Sequence, residues 1–132
     1  MTQPTDPSIW QDLVVSILSV NQYTLSYTYK SLDSLKAVGM FEPENLMNWN
    51  IDEIEAKLKE GGCDRGGFMT HLFAERLSAV GNLLREQGVS NCEAILTSKS
   101  VKDVEKLLLP VRGIGPKVVK NFLSLTREEG TV

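Results

Sequence analysis

The sequence predicts an all-α fold, a compact multi-helix bundle that closes with two helices joined by a tight Gly-rich turn. Three observations predict it. Apolar residues recur at i, i+3 and i+4 along most of the chain, the period of a helix with one buried face. Cap residues and glycines stand at the ends of these periodic runs. No stretch alternates apolar and polar residues as a strand would, and the short connectors suit neighbouring helices in a bundle. With 132 residues, 42% apolar and 23% charged, the chain suffices for a single domain, residues 1–132, with its own core.

Asp6-Pro7 reads as a cap and a first helical position, after which Ile9, Trp10, Leu13, Val14, Ile17 and Leu18 form one apolar face. Residues 24–37 continue as helix, with Tyr27, Leu32 and Leu35 inward and Val38-Gly39 as the end. Pro43 opens a short helix over 43–48. Asn50 and Glu53 have capping-box spacing for a helix over 51–59, which Gly61-Gly62 stops. A Gly-rich connector then runs to Gly67. The long helix over 67–87 has Phe68, Leu72, Leu77, Val80 and Leu84 as its core face and Gly88 as its stop. Ser90 with Glu93, and Ser100 with Asp103, read as capping boxes for helices over 91–97 and 101–109. Pro116 opens the last helix, over 116–126.

Composition narrows the function classes. No apolar run approaches the ~18 residues of a membrane span. The opening MTQPTDPS has neither the basic flank nor the apolar region of a signal peptide, so the cytoplasm is the expected compartment. Cys63 and Cys92 are too few for an iron–sulfur cluster and lack paired-ligand spacing, so both are expected to be structural. His71, the single histidine, has no partner at metal-binding spacing. No metal site and no cofactor are expected from these residues.

The net charge of −3 hides an asymmetry. Between residues 99 and 127, Lys99, Lys102, Lys106, Arg112, Lys117, Lys120 and Arg127 face only Asp103 and Glu105, a local charge of +5 that leaves −8 for the rest. This basic stretch surrounds Arg112-Gly113-Ile114-Gly115-Pro116-Lys117. Glycine there permits a sharp turn and a close approach by another backbone. The amides of such a turn, at the start of a helix, form an anion site. A phosphate cradle beside an amine points to nucleic acid.

Three stretches resemble the six-helix lobe of the helix–hairpin–helix DNA glycosylases, the endonuclease III group. WQDLVVSILSVNQYT at 10–24 is similar to that family's opening helix and the polar segment after it. GFMTHLFAERLSAVGNLL at 67–84 resembles its Gly-aromatic turn and long helix, although Leu72 and Phe73 stand where the family often has a Lys. LLLPVRGIGPKVVKNFL at 107–123 resembles the helix–hairpin–helix itself. The last motif is shared with many proteins that only bind DNA, so it is specific for backbone binding and not for catalysis.

The resemblance implies a C-terminal helix–hairpin–helix that holds a phosphate of double-stranded, damaged or abasic DNA. The contributing positions would be Arg112, Gly113, Ile114, Gly115, Lys117 and Lys120, with Na+ or K+ at the hairpin backbone. It implies that Asn21 or Gln22 fills the gap left by a flipped base; the bland alternative is a polar connector. It also implies that Lys117 is the nucleophile that forms a Schiff base at the sugar C1′, which needs a neutral amine. The family's catalytic Asp falls beyond the hairpin, whereas no Asp follows Lys117 here and Glu128 and Glu129 are the only later acids. The second lobe, which in the family walls the cleft, also has no counterpart in these residues, so a further lobe or chain would have to complete it. The expectation is therefore a base-excision-repair protein resembling a glycosylase or abasic-site lyase, the alternative being a non-catalytic DNA-binding module.

Overall fold

The computed structural model describes residues 8–19, 30–63, 67–98 and 100–127, and every regular element among them is a helix. In chain order these are α1 (Ser8–Leu18), α2 (Leu32–Ala37), α3 (Pro43–Asn48), α4 (Ile51–Glu60), α5 (Gly67–Gln87), α6 (Val89–Leu96), α7 (Val101–Leu108) and α8 (Pro116–Arg127). The long α5 is the centre, packing against α1, α3, α4 and α6. At the other side α8 lies on α1 and α7.

The predicted face of α1 is the one that is buried: Ile9, Trp10, Leu13, Val14, Ile17 and Leu18 all join the core. Leu35 is fully buried and Leu32 packs against the core at its edge. Pro43 opens α3 as expected. The α4 capping box is complete: Asn50 Oδ1 accepts from the Glu53 amide at 2.8 Å, and Glu53 Oε1 accepts from the Asn50 amide at 2.9 Å. The Asp6-Pro7 cap, Tyr27 and the stretch 24–29 lie outside the described residues.

Three expectations are corrected. Phe68 is 79% exposed and is no part of the core, and Leu72 is only half-buried and also lies outside it. The buried stripe of α5 runs through Thr70, Phe73, Ala74, Leu77, Val80 and Leu84. Phe68 precedes Thr70 by two positions, about 200° round a helix, so it projects from the opposite side. Next, Ser90 and Glu93 form no capping box. The helix already begins at Val89 behind Gly88, with no side-chain cap, and Glu93 Oε1 accepts from the Trp10 indole at 3.0 Å. A buried indole N–H wants an acceptor more than an exposed helix end does. Finally, the Ser100–Asp103 box is half made. Ser100 Oγ accepts from the Asp103 amide at 3.2 Å, but the Ser100 amide donates to Ser98 Oγ at 3.3 Å. Aspartate is one methylene shorter than the glutamate that closes this motif.

Gly81 allows the tightest helix contact. A Cβ there would collide with the Leu46 carbonyl oxygen at the end of α3. One turn further along α5, Arg85 donates to the neighbouring Met47 carbonyl, so the same approach also satisfies the C-terminal end of α3.

Candidate nucleic-acid interface

The amphipathic α7 buries Val104, Leu107 and Leu108, and α8 buries Val118, Val119 and Phe122. These apolar faces hold the two helices against the core, and the polar faces are left outside. Between them, the Val111 amide donates to the Leu108 carbonyl and the Ile114 amide to the Val111 carbonyl, each at 3.0 Å. Two successive tight turns thus reverse the chain over residues 109–115. Val111 and Ile114 are buried and pin the turn from beneath.

The two glycines of the turn do different things. Gly113 has φ +86, the left-handed region that a side chain disfavours, and a Cβ on it would stand 2.6 Å from Arg76 Cγ. Gly115 is outside that region, and a Cβ on it would meet nothing within 4 Å. The fold therefore requires glycine at Gly113, while the space over Gly115 is open.

The amide cradle is smaller than the sequence suggests. The Ile114 amide is committed to Val111, and Pro116 has none. Among the described residues, the amides of Gly113, Gly115 and Lys117 donate to no acceptor. Ile114 thus serves as a buried anchor for the turn, and its amide is not one of the outward donors.

Around these amides Arg112, Lys117 and Lys120 are exposed, as are Lys102 and Lys106 on α7. None of the five forms an ion pair among the described residues. Arg76 of α5 adds a further cation against Gly113, which the charge count along 99–127 passes over because it comes from a distant part of the chain. Lys99 and the side chain of Arg127 lie outside the described residues, as do Asn21, Gln22, Glu128 and Glu129. The end of α1 nevertheless comes close to α8: Asn121 Nδ2 donates to the Ser19 carbonyl at 2.9 Å. That residue is one turn beyond Lys117 on the same helix.

Elsewhere, His71 bridges α4 and α5. Its Nδ1 is 2.8 Å from Glu55 Oε1 and its Nε2 is 3.5 Å from Glu75 Oε2. The hydrogen bond to Glu55 raises the imidazole pKa, and the same bond lowers that of Glu55. Cys63 and Cys92 are buried and form no disulfide, and burial pushes the Cys92 thiol up. Among the described residues no group of three or more His, Cys, Asp or Glu side chains could hold a metal ion, and no helix is long and apolar enough to cross a membrane. No family model, curated protein or solved structure matches the chain.

Proposed function

We propose that this chain binds the backbone of duplex DNA, with α7, the turn and α8 acting as a helix–hairpin–helix, and that it acts in base-excision repair on abasic sites. The observation that carries the reading is the turn itself. Amides without acceptors open at the start of α8, beneath an unobstructed Gly115 and among exposed Arg112, Lys117 and Lys120. Backbone amides and a helix N-terminus bind phosphate without reading sequence, and the flanking cations make the binding salt-dependent. A monovalent cation could share this cradle through the turn carbonyls, as the glycosylase resemblance implies.

Lys117 gives the site its chemistry. It is exposed on the first turn of α8, next to the amides that would hold the phosphate. At an abasic site the sugar opens to an aldehyde at C1′. The Lys117 amine adds there and water leaves, giving an imine. Loss of a C2′ proton then expels the 3′ phosphate by β-elimination, and hydrolysis of the imine frees the enzyme. The base is already gone, so these steps need no carboxylate to assist its departure.

Borohydride tests this directly, because it reduces the imine to a stable amine. Wild-type protein is expected to form a covalent adduct with abasic duplex that Lys117→Ala does not form. Salt-sensitive duplex binding without any adduct would leave the non-catalytic module as the function. Absence of binding at low salt would remove both readings.

A further inference from the structure

Among the described residues, Arg76 on α5 is a cation without a counter-ion. Its Nε is shut off from solvent with no acceptor, and no carboxylate pairs with it among the described residues. A partly buried guanidinium left this way costs free energy, and native proteins satisfy such groups with a partner, a water or a ligand. The side chain lies against the α7–α8 turn: Cγ, Nε and Cδ are 2.6, 3.3 and 3.4 Å from where a Cβ on Gly113 would stand. Among the described residues, the Gly113, Gly115 and Lys117 amides of the turn also lack protein acceptors, on residues that are exposed or half-buried and so open to a ligand. Donors without a protein acceptor thus stand on two elements, far apart in sequence, that touch at Gly113.

We propose that Arg76 is a phosphate ligand of the hairpin, its guanidinium donating to the same backbone phosphate that the turn amides receive. This rests on the DNA-backbone reading above and extends its footprint from α8 to α5. Arginine suits the task because its planar fork matches phosphate oxygens and stays charged even when half-buried. It also explains the fit at Gly113: the absent side chain is what lets the Arg76 stem lie flat on the turn.

The test is a salt titration of binding to a short mixed-sequence duplex. Arg76→Met keeps an apolar stem on Gly113 and removes the charge. It is expected to weaken binding about tenfold at low salt and to lower the log–log salt slope by about 1. The thermal midpoint without DNA should stay equal or rise. Arg76→Lys should keep the slope. Unchanged affinity and slope, or a lowered midpoint with an unchanged slope, would overturn the proposal and make Arg76 a structural support. A second measurement needs no variant: duplex should shield Arg76 of the wild-type protein from phenylglyoxal, and equal modification with and without duplex would also overturn it. If Arg112→Gln lowers the slope and Arg76→Met does not, the Arg76 assignment alone fails. If wild-type protein shows no salt-dependent binding, the DNA reading fails with it.

Discussion

His71 shows how a single side chain can tie two helices in a pH-dependent way. Its bond to Glu55 of α4 raises its pKa above the ordinary 6.5 and lowers that of Glu55 below 4.5. A raised histidine pKa contributes stability that is complete below the unfolded value and is lost as pH rises through the folded one. The lowered Glu55 contributes stability that is present above its unfolded value and is lost as pH falls through the folded one. The clasp is therefore strongest between about pH 4.5 and 6.5 and fades above. His71→Gln should lower the thermal midpoint near pH 5.5 and leave it close to wild type at pH 8.5. The effect is small, because surface ion pairs contribute little; equal destabilisation at both pH values would mean that the imidazole acts by packing. Nothing in the sequence pointed to this partner, since Glu55 lies sixteen positions away on another helix.

At the scale of elements, most helices were legible because their ends carry local chemistry. Asn50 with Glu53, Pro43 and Pro116 act within one turn of themselves, so spacing alone predicts them. The Ser90–Glu93 box failed for the opposite reason: Trp10, 83 positions away, takes the glutamate. Phe68 failed because one apolar residue at the start of a helix cannot fix its rotational phase. The two turn glycines also look alike in sequence and differ in the fold. Gly113→Ala must adopt a disfavoured φ and displace Arg76, at a cost of about 1–2 kcal/mol from the backbone alone. Gly115→Ala has room, so its thermal midpoint should stay near wild type; under the proposed function its duplex binding should weaken, because the new methyl group would stand in the proposed path of the phosphate. Calorimetry and binding assays on this pair separate folding from recognition; a Gly115→Ala variant that binds normally would place the DNA elsewhere. A third glycine, Gly81, belongs to packing alone. Gly81→Ala should cost about 1–3 kcal/mol by prising α3 from α5.

For the whole molecule, charge is unevenly distributed along the chain. The stretch 99–127 holds +5 against −8 in the remainder, so under the proposed reading a polyanion would be attracted to this stretch and repelled by the rest. Duplex binding should raise the thermal midpoint at low salt, by about 2.7 kcal/mol of added stability at a hundredfold excess over Kd. The shift should vanish as salt rises; a salt-independent shift would contradict phosphate anchoring. The Gly turn was legible from the sequence. Arg76 was not, because a linear charge count cannot see which distant helix lies beneath a turn.

The Asn121–Ser19 bond joins residues 102 positions apart and seats α8 on α1. Contacts of such span form late, because a long loop must close before they yield any stabilisation. On a ribosome, α1 would emerge with its apolar face uncovered; α5 would cover part of it, and the rest would wait for α8. The surface that α7, the turn and α8 form together would then mature only after α8 has been made, and a nascent chain stalled before it would leave part of the α1 face uncovered.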